Sequence, residues 1–114
     1  MKAQSISKSL IRKYINTVVN LIIIDFDMPE DDPGIYGQYI FDDLLVWIKR
    51  DDTEAVLKLA IGQLISSHFD ADDFHKNEYP WDEDELRVVF KEIHRRLWPG
   101  EPIPTTEEEI NWIE

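Results

Sequence analysis

The sequence predicts an all-α protein, a single-domain bundle of four to five amphipathic helices with two acidic loops, spanning residues 1–114. Three observations carry that prediction. Apolar residues recur at gaps of three and four in four separate stretches, the spacing that lines one face of a helix. Proline, glycine and acidic residues gather between those stretches rather than within them. Little of the chain alternates apolar and polar residues as a half-buried strand does. A length of 114 residues with 43% hydrophobic content, 5 Phe, 4 Tyr and 4 Trp suits one domain with a substantial core. No internal repeat or flexible linker divides it.

The first helix is expected over Ser5–Ile24, with Ile6, Leu10, Ile11, Tyr14, Ile15, Val18, Val19 and Ile22 on one face and Ser5 or Ser7 as cap. Its end, "VVNLIII", is β-branched and in isolation reads as a strand. Continuity of the helical spacing decides for helix. Asp25–Gly37 is a loop, since Pro29, Pro33, Gly34 and Gly37 fit neither helix nor strand. Gln38–Arg50 is the second helix, with Ile40, Phe41, Leu44, Leu45, Trp47 and Ile48 inward, and Lys49 and Arg50 suit the negative pole at its end. Asp51 or Asp52 is expected to cap a third helix, Thr53–Phe69, which turns Val56, Leu57, Ala60, Ile61, Leu64 and Ile65 inward. Gly62 inside it costs about 1 kcal/mol against Ala and points to close helix packing. Asp70–Trp81 forms the second acidic loop. Asp82 then starts a fourth helix, with Glu85 as capping-box partner, a stripe of Leu86, Val89, Phe90, Ile93 and Leu97, and "WPGEPIP" as its stop. "TTEEEINWIE" reads as a short terminal helix, capped by Thr106 and Glu109, with Ile110 and Ile113 inward.

Charge is the most informative part of the composition. The net value is −12, and it is unevenly spread. The first 24 residues carry four bases and no acid, whereas the remainder carries all 24 acids against eight bases. Such a body repels nucleic acid and anionic lipid and attracts a basic partner. Direct nucleic-acid binding and membrane association are therefore not expected. The absence of cysteine excludes a disulfide framework and any thiolate metal site. No secretory signal opens the chain, and the longest uncharged run, Tyr14–Ile24, is too short to span a bilayer. A cytoplasmic protein is expected.

No catalytic motif in the sequence is complete. The run "LIIIDFD" is similar to the strand and Asp-x-Asp of haloacid-dehalogenase-type phosphatases, but Pro29 stands where that pattern wants Thr or Val. A chain this short and helical lacks the sheet that chemistry needs, so Asp25 and Asp27 read as loop or cap residues. Neither acidic loop fits a calcium-binding helix–loop–helix, because Glu30 or His75 stands where the glycine is required. His68, Asp72 and His75 share a face only if a helix continues through "HFDADDFH", and His94 reads as a surface residue. No catalytic constellation, metal site or cofactor is expected.

The stretch that stands out is "DADDFHKNEYPWDEDE", Asp70–Glu85. It sets eight acids against Lys76 alone, with Phe74, Tyr79 and Trp81 threaded between them. Carboxylates form charge-assisted bonds to Arg and Lys, and Tyr and Trp are enriched at binding hot spots. Trp81 also suits a hydrophobic staple ahead of the Asp82 cap. The candidate partner-binding residues are Asp70, Asp72, Asp73, Glu78, Tyr79, Trp81, Asp82 and Asp84. In size, charge and helix content the whole chain resembles the immunity proteins that neutralise bacterial nuclease toxins, such as those of colicins and contact-dependent growth-inhibition systems. That resemblance implies a tight one-to-one complex with a basic toxin nuclease domain, covering its active site or an adjacent exosite. Two other readings fit an acidic helical chain: a nucleic-acid mimic that inhibits a host defence enzyme, and a regulatory or structural subunit of a larger assembly.

Overall fold

Two short strands and four helices succeed one another as β1 (Gln4–Ser7), α1 (Lys8–Phe26), α2 (Tyr39–Arg50), α3 (Glu54–Ser66), α4 (Glu83–Leu97) and β2 (Ile110–Ile113). The structure is a computed structural model that describes residues 4–26, 35–66, 69–70, 74, 82–102 and 110–114. It is an all-α bundle with one small parallel sheet added to it.

The expected stripes are the core. Ile11, Tyr14, Ile15, Val18, Val19 and Ile22 of α1 are buried in one core with Ile40, Phe41, Leu44 and Ile48 of α2 and the stripes of α3 and α4. Gly62 is buried within α3. Helices of 12 and 13 residues such as α2 and α3 are marginal alone in water. Each fully buried Ile, Leu or Phe contributes about 1.5–3 kcal/mol, so packing rather than propensity holds them. "VVNLIII" is helical, as continuity of spacing required, and Asp25 falls in the last turn of α1 instead of a loop.

Where α2 ends, the chain turns by a Schellman motif. Thr53 N–H donates to Ile48 O (2.9 Å) and Asp52 N–H to Lys49 O (3.3 Å), with Asp52 in the left-handed region at φ 55°. The pair expected to open the third helix thus closes the second. Asp51 turns its carboxylate to α1 instead, where the buried Tyr14 hydroxyl donates to Oδ2 (2.8 Å) and stands 2.7 Å from Thr53 Oγ1. With its own proton committed to Asp51, Tyr14 accepts from Thr53. At the start of α4 the Asp82–Glu85 capping box forms as its spacing required, with Glu85 N–H on Asp82 Oδ1 (2.8 Å) and Asp82 N–H on Glu85 Oε1 (3.2 Å).

Both chain extremities depart from expectation. Residues 4–7 pair in parallel with 110–113, Gln4 opposite Ile110 and Ser7 opposite Ile113. The first helix therefore begins at Lys8, and Ser7 rather than Ser5 is its cap, accepting from Leu10 N–H at 3.2 Å. "INWI" is a strand, not the end of a helix: Ile110 and Trp112 are half-buried while Asn111 and Ile113 are exposed, a period of two. The three-residue gap between Ile110 and Ile113 mimicked a helix, but Trp112 is the residue turned toward the core. Thr106 and Glu109 lie outside the described residues.

Candidate partner-binding surface

The acidic stretch lies between α3 and α4 in the chain. Phe69, the residue before the stretch, donates its N–H to Glu83 Oε1 near the far end (2.9 Å), so the two ends of the stretch meet at a neck. Arg87 reinforces it, its guanidinium 5.4 Å from the Phe69 ring centre and 3.2 Å from carboxylate oxygens of Glu83 and Asp84. Within the stretch, Phe74 is packed into the core. It is buried, with its ring 5.7 Å from Phe69 and 5.2 Å from Trp112 of β2, both edge-on. Phe74 is thus an anchor for the stretch rather than a surface aromatic.

Of the eight candidate residues, Asp70, Asp82 and Asp84 are described, and all three are exposed. Asp72, Asp73, Glu78, Tyr79 and Trp81 lie outside the described residues, as do His68 and His75. Asp70 is bonded next to Phe69 and Asp84 next to Glu83, so the neck brings these two acids to the same end of the molecule. Asp84 is 91% exposed even with Arg87 beside it, leaving its carboxylate open to a partner. Asp82 differs in kind. Its side chain is committed to the N-cap, and with Glu83, Asp84 and Glu85 it supplies negative charge where the dipole of α4 favours it.

Two features escaped sequence reasoning. His94 is buried, 3% exposed, with its ring edge-on to Trp98 at 5.5 Å, which corrects its reading as a surface residue. Burial, and then the Lys58 charge, holds its pKa below the usual 6.5, while Glu101 opposes them. Position 94 lies next to Ile93 and one turn before Leu97 and Trp98, on the edge of the stripe, and only the arrival of α3 and Trp98 closes over it. Beside it, Asp52, Glu54, Ala55, Lys58, Trp98 and Glu101 line an open cleft of about 490 Å³. Two of its carboxylates are engaged: Lys58 Nζ bonds Glu101 Oε1 (2.7 Å), and Trp98 Nε1 donates to Glu54 Oε1 (3.1 Å). Among the described residues no three His, Asp or Glu side chains gather as metal ligands do. Nor is any helix there long and apolar enough to cross a membrane. Compared with protein-family models, curated proteins and solved structures, the chain matches none.

Proposed function

We propose that this chain is a non-catalytic acidic binding protein, an immunity protein that neutralises a basic, nuclease-type toxin domain by tight protein–protein association in the cytoplasm of a bacterium. One observation carries the reading: acids outnumber bases two to one in the sequence, and Asp70 and Asp84 stand exposed at the neck of the stretch that is densest in them. A nuclease domain is basic because its substrate is a polyphosphate, and a protein that blocks it presents matching carboxylates. In this reading Asp70, Asp72, Asp73, Glu78 and Asp84 meet Arg and Lys, while Tyr79 and Trp81 are the desolvated anchors. Asp82 keeps its partner-facing charge but serves the fold first.

The test is affinity capture from native host lysate at low salt, eluted along a salt gradient. Recovery of one basic nuclease-like polypeptide, released only at high salt or by denaturant, is the expected result. With that polypeptide in hand, Asp70→Lys together with Asp84→Lys slows association at least roughly tenfold at low salt and flattens its salt dependence. Unchanged association of the double variant removes this surface from the reading. Recovery of a large DNA-handling enzyme turns it toward nucleic-acid mimicry, and recovery of nothing leaves the acids with solubility alone.

A further inference from the structure

We infer that the outer face of α2 is a self-complementary contact through which two copies of the chain pair, antiparallel, about a two-fold axis at Val46. At 100° per residue, Tyr39, Asp42, Asp43, Val46, Lys49 and Arg50 fall within a sector about 120° wide, with Val46 near its middle. All six are exposed; Tyr39 is 50% and Val46 62% exposed. The opposite sector, Ile40, Phe41, Leu44 and Ile48, is in the core.

The order of charges along this face is what points to a second copy. A helix face that only meets water usually interleaves opposite charges at three or four residues, where they pair within the helix. Here the acids stand at 42 and 43 and the bases at 49 and 50. The positions one turn from Asp42 and Asp43 toward the C-terminus are Leu45, Val46 and Trp47, none of them cationic. Among the described residues Asp42 receives only the Gln38 amide at 3.4 Å, and Arg50 turns to the neighbouring Asp51 at 3.3 Å and over the Trp47 ring at 4.8 Å. A separation of seven is out of reach within one helix. It is matched when a second α2 lies antiparallel, because Asp42 and Asp43 are as far before Val46 as Lys49 and Arg50 are beyond it. Each copy then sets its acids on the other's bases, the reciprocal pattern of a two-fold interface. The face is also neutral on balance in a chain of net charge −12, so it is a place where two such chains can approach.

The apolar part of the face is Val46, Tyr39 and, one turn upstream, the exposed Ile35. Tyr39 is preset. Its ring lies over Gly37, where a Cβ would sit 2.5 Å from Cε1. The turn beneath it is held to α4 by Arg96, which donates to Tyr36 O (2.8 Å) and Gln38 Oε1 (3.0 Å). One helix face is smaller than the roughly 800 Å² per partner of a stable interface, so this pairing forms at high protein concentration.

Sedimentation equilibrium of the whole chain at physiological salt tests it, over a range reaching about 1 mM. The expected mass rises from 13.5 kDa toward twice that value. D42K/D43K and K49E/R50E each place like charges across the axis and associate at least roughly tenfold more weakly, while an equal mixture of the two recovers pairing. Val46→Lys sets two cations on the axis and also abolishes it. Helical circular dichroism of each variant separates lost pairing from lost folding. A wild-type chain that stays at 13.5 kDa throughout, or a mixture no more associated than either variant alone, overturns the proposal and leaves the face to a different protein.

Discussion

Glu92 and His94 stand two residues apart on α4, are 4% and 3% exposed, and are accommodated in opposite ways. Glu92 is surrounded by cations: Arg95 donates to both of its oxygens, and Arg96 Nε reaches Oε2 at 2.5 Å. Arg96 is itself built in, stacked 4.9 Å from the centre of Phe41 and bonded to Tyr36 O. His94 has an aromatic neighbour but no hydrogen-bond partner for Nε2 among the described residues. A buried group is stable when charged only if something supplies the opposite charge, and otherwise it stays neutral. The same helix shows both outcomes, and the neighbouring elements, not local sequence, decide between them.

Replacing Glu92 makes the strongest break in that contrast. Glu92→Ala strands the largely buried Arg96 and is expected to cost about 3 kcal/mol in urea unfolding. If the pair matters through charge burial, Glu92→Met combined with Arg96→Met costs less than the two single changes summed. Additive losses would show that each side chain acts through its own packing.

Tyr14 gives the intermediate case, a buried neutral hydroxyl that meets a carboxylate. Tyr14→Phe removes one charge-assisted bond near the surface and is expected to cost about 1 kcal/mol. Burial raises the Tyr14 pKa, whereas the hydrogen bond from Tyr14 is the main cause holding Asp51 below 3.8. An NMR titration of the Phe variant should therefore show Asp51 moved back toward 3.8.

His94 is the smallest effect at neutral pH and the most diagnostic. In the unfolded chain it takes up a proton near 6.5, but in the folded chain only at lower pH. Its share of stability is complete above 6.5 and is lost as pH falls below that value. His94→Phe keeps the ring against Trp98, changes stability little at pH 7, and makes the wild-type loss below 6.5 shallower in paired thermal melts. Parallel curves for the two proteins would mean that folding leaves the proton affinity of His94 unchanged.

These contrasts also mark what could be read in advance. Helix stripes and the Asp82–Glu85 box are local patterns, set by spacings of three and four, and they appear in the structure as the spacing dictates. The β1–β2 pair was not legible, because each strand is four residues long and its partner is more than 100 residues away. Asp52 was misplaced for a related reason: aspartate suits both the start of a helix and a left-handed turn, and the hydrogen bonds of Thr53 settle which. At the candidate surface, exposure of Asp70 and Asp84 followed from composition, whereas burial of Phe74 depended on Phe69 and Trp112 arriving from elsewhere.

The small parallel sheet bears on the order in which the molecule assembles. Joining Ser5 to Asn111 closes a loop 106 residues long, at an entropic cost of about 4 kcal/mol for the closure alone. Two four-residue strands cannot repay that unless the helices have already shortened the path between them. The clasp is thus expected to be the last contact to close during folding and the first to fray. Because Trp112 rests on Phe74, a fraying event removes one of the ring contacts that hold Phe74. Amide hydrogens of β2 and of Phe74 are then expected to exchange together, ahead of those in the four helices.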